Sequence, residues 1–281
     1  MSAEGPQSTP PKKSLAIVVV PILLVLITFL FWYQTWFGRR LSDDDTAQYL
    51  ADTSVPHKTQ HALAQLAERV SRGDASARRW YPQVLALAAN REAEFRLMAA
   101  WVMGQDNKSE EFHSALLKLL ADPDPMVRRN AALALVRFGD ASGRGELRAM
   151  LEPFSLHSQQ PGTIHFRLKE SDPVRSGTTV ARLQAGEDKP VDVASPVAGE
   201  LARRAVPEGA SVAAGDVVAV ISPGDDQVWE ALRALYLVGT AEDLPAVERV
   251  ARGGSGASER IRQQAAATAD GIRRRARKQS P

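Results

Sequence analysis

Lys169-Glu170-Ser171-Asp172-Pro173-Val174-Arg175-Ser176-Gly177-Thr178-Thr179-Val180 returns in pattern, thirty-eight residues on, as Pro207-Glu208-Gly209-Ala210-Ser211-Val212-Ala213-Ala214-Gly215-Asp216-Val217-Val218. In each copy a Val stands three residues before a Gly, a second Val three residues after it, and an aliphatic residue, Leu183 or Ile221, three further on. Each copy is preceded by a glycine with an apolar residue two positions later, Gly162-Thr163-Ile164 and Gly199-Glu200-Leu201, the first copy being one residue tighter. Short apolar runs punctuated by glycine read as strands and turns, and an internal repeat of this length means two like halves. The expectation is a flattened β-sandwich over residues 160–223 with a pseudo-dyad, its turns at Gly177, Gly199, Gly209 and Gly215.

Ser195-Pro196-Val197-Ala198-Gly199 and the stretch from Val206 to Asp216 resemble the biotinyl/lipoyl-like domain, a barrel-sandwich hybrid. The resemblance implies one of two uses: carrying a swinging cofactor, or joining proteins at a membrane as in bacterial membrane-fusion adaptors. Lys189, in Ala185-Gly186-Glu187-Asp188-Lys189-Pro190 between the two halves, falls where carrier domains attach lipoate or biotin, and Asp188-Lys189 resembles the lipoyl Asp-Lys pair. It stands one residue out of register, Pro190 follows it, and the Met residues that flank a biotinyl lysine are missing. The long coiled-coil hairpin of the adaptors is missing too.

The rest of the chain beyond Ser42 reads as helices. Leu117 through Asp140 resembles a HEAT repeat: Asp122-Pro123-Asp124-Pro125 ends one helix and caps the next, Ala131-Ala132 permit close approach, and Gly139-Asp140 stops the second helix. A looser copy runs from Leu85 to Asp106, with Phe95-Arg96 where Val127-Arg128 stand. The resemblance implies that Arg96 and Arg128 bond acidic turn residues of neighbouring repeats in a structural role, and Asp122 is marked with them as a structural residue of the repeat. Apolar spacing in 227–276 predicts further HEAT-like helices, so the β-module is expected to be inserted in, or docked between, parts of one solenoid over 42–153 and 227–276, with a basic tail at 277–281.

Leu15 to Phe31 is an uncharged run, followed by Trp32, Tyr33, Trp36 and Phe37 and then Arg39-Arg40. That pattern predicts a membrane anchor over 14–37 behind a flexible leader at 1–13. The positive charges tie across the run, and the signal-anchor look of the leader favours a single-pass inner-membrane protein with its bulk on the periplasmic side. The expected fold class is therefore multi-domain α and β: one transmembrane helix, a HEAT-like α-solenoid and an inserted biotinyl/lipoyl-like β-sandwich.

Composition narrows the chemistry. The 281 residues include no cysteine, which excludes disulfides, thiolate zinc sites and cysteine nucleophiles. A net charge of +2 and the lack of aromatics interleaved with Lys or Arg argue against a nucleic-acid partner. His57 and His61 share a helix face at metal-compatible spacing but have no third ligand nearby, and neither Ser54 nor Ser109 sits in a Gly-x-Ser-x-Gly elbow. Gly253-Gly254-Ser255-Gly256 lacks the Lys-Ser/Thr ending of a phosphate loop, and Trp80, Tyr81, Phe95, Trp101 and Met103 read as solenoid core. The expected function is a non-enzymatic, membrane-anchored scaffold without a cofactor that binds a partner protein. The alternative is a carrier with lipoate or biotin on Lys189.

Overall fold

Asp-Pro or Ser opens some helices in the first half of this chain and Gly closes some, and the computed structural model, which describes residues 16–32, 40–186 and 189–279, shows how. The chain divides into two units, residues 1–48 and 49–281. In the first, α1 (Ala16–Trp32) has 17 residues and rises about 26 Å at 1.5 Å per residue, against a hydrocarbon core of about 30 Å. Among the described residues no helix is long and apolar enough to cross a membrane. The expected transmembrane helix over 14–37 is corrected accordingly, and with it the single-pass inner-membrane placement and the periplasmic bulk. The expected leader at 1–13 and the flank at 33–39 lie outside the described residues. Ser42 caps α2 (Asp43–Ala51) reciprocally: its Oγ accepts from the Asp45 N–H at 3.0 Å, and its own N–H reaches Asp45 Oδ2 at 3.4 Å.

The second unit carries α3 (Pro56–Ser71), α4 (Tyr81–Leu87), α5 (Ala93–Met103), α6 (Glu110–Leu119), α7 (Pro125–Arg137) and α8 (Arg144–Ala149). Asp124 caps α7, accepting from the Met126 N–H at 2.7 Å and the Val127 N–H at 3.3 Å, with Pro125 at the first helical position. Gly139, at φ 74°, ends the same helix, and the Asp140 N–H returns to the Leu135 carbonyl at 3.1 Å. After the sheets come α9 (Asp225–Val238), α10 (Leu244–Ala251) and α11 (Glu259–Gln279). The odd-numbered helices form a row, α3 on α5, α5 on α7, α7 on α9 and α9 on α11. Small residues let the row close up: a Cβ on Gly104 would lie 2.9 Å from the Ala134 Cβ. Ala132, Leu147, Met150 and Leu151 share one buried core with Val228, Leu232, Val247 and Ile261, so the helices on either side of the sheets pack as one body. The basic residues Arg277 and Lys278, expected in a separate tail, are the last turn of α11.

Between α8 and α9 lie eight short strands: β1 (Phe154–His157), β2 (Gly162–Phe166), β3 (Pro173–Val174), β4 (Thr179–Gln184), β5 (Val191–Ala194), β6 (Gly199–Arg204), β7 (Ser211–Val212) and β8 (Val217–Pro223). They make two open antiparallel sheets, ordered β1-β8-β6-β3 and β5-β4-β2-β7. Both sheets feed one core, in which Ile164, Val180 and Leu183 meet Leu201, Val218 and Ile221. The fold is thus mixed helix and sheet, with open sheets and, among the described residues, no helix long and apolar enough to cross a membrane.

The repeat is structural as well as sequential. Phe154 pairs with Ile221 as Val191 pairs with Leu183. The Gly215 N–H donates to the Ser158 carbonyl as the Gly177 N–H donates to that of Ser195, each at 2.8 Å. β1 was missed at the sequence level, although the offset of thirty-seven residues that relates Gly162 to Gly199 also carries Phe154–His157 onto Val191–Ala194. At one position the two copies differ in backbone cost. Gly209 has φ 75° and its counterpart Ser171 has φ 70°, with the two N–H groups bonding the Ile164 and Leu201 carbonyls at 2.9 and 2.8 Å. A side chain is disfavoured at such a φ, so Ser171→Gly should stabilise the fold by about 0.5–1 kcal/mol, read as a rise in the urea midpoint at constant slope.

Candidate protein-docking groove

The residues singled out in the helical repeats tie turns together. Arg96 donates from Nε and Nη2 to Asp122 at 2.6 and 2.8 Å and from Nη1 to the Asn90 and Arg91 carbonyls at 3.0 and 2.8 Å. Arg128 repeats the second half of this arrangement, bonding the Asp122 and Pro123 carbonyls at 2.8 and 3.1 Å, while its Nε reaches Glu146 on α8 at 3.1 Å. Burial works against the charge of Asp122, yet the Arg96 guanidinium and the Asp124 backbone N–H hold its carboxyl below the ordinary range.

The four glycines named from the repeat separate into two kinds. Gly177, Gly209 and Gly215 take φ of 83°, 75° and 89° in turns. Gly199 is not a turn residue; it opens β6, where a Cβ would fall well inside contact distance of the Ser222 carbonyl oxygen and 3.0 Å from its carbon. Lys189 is exposed in the loop joining β4 to β5, and its expected neighbour Asp188 lies outside the described residues. Among the described residues no side chain bonds or ion-pairs with Lys189. His61 contacts Gln65 through a ring nitrogen at 2.8 Å, and no group of three potential metal ligands forms among the described residues.

Chemistry that could engage another molecule gathers elsewhere, on the exposed side of the helical row. A groove of about 830 Å³ runs across α5, α7, α9 and α11. Trp101 comes from α5 and Gln105 from the turn just after it, Leu133 and Arg137 from α7, and Tyr236 and Leu237 from α9. Its apolar content stands out because large apolar side chains are rarely exposed on the second unit. Among the described residues outside α1 only five are: Trp101 at 42 %, Leu117 at 38 %, Val191 at 41 %, Tyr236 at 40 % and Leu237 at 62 %, and three of these five line the groove.

Helical phase explains why they are outside. On α9 the buried stripe is Val228, Leu232 and Leu235, which leaves Tyr236 and Leu237 turned off the core. On α5, Phe95, Ala99, Val102 and Met103 are buried, and Trp101 lies off that stripe. Trp101 had been expected in the core with Trp80, Tyr81, Phe95 and Met103; those four are buried and Trp101 is not, because one residue of phase carries a side chain about 100° around a helix. Tyr236 is seated against α11, where a Cβ on Gly271 would come within 2.8 Å of its ring. Arg137 and Arg233, both exposed in the groove, have no ion-pair partner among the described residues. By contrast, Arg273 bonds Glu248 at 2.6 Å, and Arg275 donates to the Leu235 and Gly239 carbonyls at 3.2 and 2.9 Å, closing the end of α9.

A family model described as HEAT repeats matches residues 81–153, the stretch from α4 to just past α8 that supplies two walls of the groove. No curated protein matches the chain. HEAT repeats suggest, in general terms, a protein-interaction scaffold.

Proposed function

We propose that this protein is a non-enzymatic scaffold that holds a partner protein in the groove across α5, α7, α9 and α11, with the β-module as a second docking surface. The reading rests on the convergence of Trp101, Tyr236 and Leu237, exposed together in one concavity instead of being scattered singly over the surface. Tryptophan, tyrosine and arginine are the side chains that most often dominate binding energy at interfaces, and all three stand here. The HEAT-repeat match adds support, since stacked helix pairs present extended binding faces.

The test is quantitative affinity capture with the full chain. Leu237→Asp places a charge in the groove, while Leu117→Asp places one on α6, outside it. The expected result is a partner protein recovered at least tenfold less by Leu237→Asp and undiminished by Leu117→Asp, with both variants matching the parent in circular dichroism. A partner retained by Leu237→Asp, or lost equally from both variants, overturns the groove as the docking site.

A further inference from the structure

We infer that the occupant of this groove is an amphipathic helix with carboxylates along its edges, an inference that rests on the docking reading above. Two observations carry it. The first is charge. Arg137, near the end of α7, and Arg233, on α9, stand exposed in the groove with no carboxylate paired to either among the described residues. Glu230, three residues before Arg233 on α9, has no ion-pair partner either, so two free guanidinium groups face one free carboxylate. An arriving segment with acidic flanks satisfies both arginines, and a single basic residue answers Glu230.

The second observation is the kind of wall. All four sides are helices, so the groove has no strand edge to which an extended peptide could add. Each side-chain amide of the wall already gives one N–H to a neighbour close in sequence: Asn130 to the Met126 carbonyl at 3.0 Å, Gln105 to the Trp101 carbonyl at 2.9 Å, and Gln264 to Thr268 at 3.3 Å. A wall with few donors to spare suits an occupant that satisfies its own backbone groups, as a helix does and an extended chain does not. Its apolar stripe would cover Trp101, Leu133, Tyr236 and Leu237.

Three labelled 18-residue peptides with a leucine face test this, identical except that the flanking positions carry glutamate, glutamine or lysine. By fluorescence anisotropy at low salt the glutamate peptide should bind the full chain at least tenfold more tightly than the glutamine peptide, with the advantage shrinking as salt is added. In the double variant Arg137→Glu/Arg233→Glu the order should invert in favour of the lysine peptide. Leu237→Asp should weaken all three. Equal affinities, an order untouched by the charge reversal, or no binding by any peptide overturns the acid-edged helix. So does self-association of the chain that Leu237→Asp abolishes, since the occupant would then be a second copy. The two readings fail differently: a captured partner released by Leu237→Asp but kept by the double charge reversal leaves the docking groove standing and removes only the acidic occupant.

Discussion

Arg96→Met should lower the unfolding free energy by about 3 kcal/mol at neutral pH, the cost typical of leaving one partner of a buried ion pair uncompensated. The side chains of Arg96 and Asp122 are only 13 % and 5 % exposed, so little solvent screens the pair. Methionine retains much of the packing of the arginine stem but removes both bonds to the carboxylate and both to the Asn90 and Arg91 carbonyls. The pH dependence carries its own sign. Asp122 has a folded pKa below its ordinary value, so the unfolded chain takes up the proton first. Its stabilising contribution is complete above about pH 5, where the carboxyl is ionised in both states, and is lost as pH falls through the depressed folded value. Arg96→Met removes the strongest of the influences that lower it. Urea unfolding at pH 7 and pH 3 should then show a gap between parent and variant that narrows in acid. An equal gap at both values would mean that the lost packing, and not the ion pair, is the cause.

The second large effect is expected at Gly199. Alanine there sets a Cβ against the Ser222 carbonyl, a backbone atom fixed by the pairing of β6 with β8, in which Glu200 faces Ser222 and Leu201 faces Ile221. Relief requires one strand to move, and Gly199→Ala should cost about 3 kcal/mol, the upper end of ordinary overpacking. Gly177→Ala is the comparison, since a Cβ there meets nothing within 4 Å and only its φ of 83° is unfavourable. That variant should lose about 1 kcal/mol. Thermal unfolding followed by circular dichroism ranks the two, and a Gly199→Ala midpoint no lower than that of Gly177→Ala would refute the close-approach argument.

Much of the scaffold was legible because its signals are local. Asp124-Pro125 announces the start of α7 and Gly139 its end, since a cap and a left-handed residue act within one turn. The repeat of Val, Gly and Val made the strands readable, because alternation and glycine turns depend on neighbours a few residues away. β1 was less legible: four residues, Phe154-Ser155-Leu156-His157, carry too little alternation by themselves and become a strand by pairing with β8. The apolar run from Leu15 led further astray. It predicted a membrane span from composition, whereas among the described residues no helix is long and apolar enough to cross a membrane.

The amino-acid sequence by itself determined the helix caps, the glycine turns, the two-fold repeat of the β-module and the arginines at equivalent places in successive helix pairs. Each of these follows from interactions within a turn or from a pattern that repeats along the chain. Only the tertiary structure decided that α9 and α11 pack beside α7 across the intervening sheets, that Asp122 is the partner of Arg96, and that Trp101, Arg137, Arg233 and Leu237 come together at one groove. The reason is physical: a groove is the space left between helices far apart in sequence, and no local preference of Trp101 or Leu237 records which helix will lie opposite it.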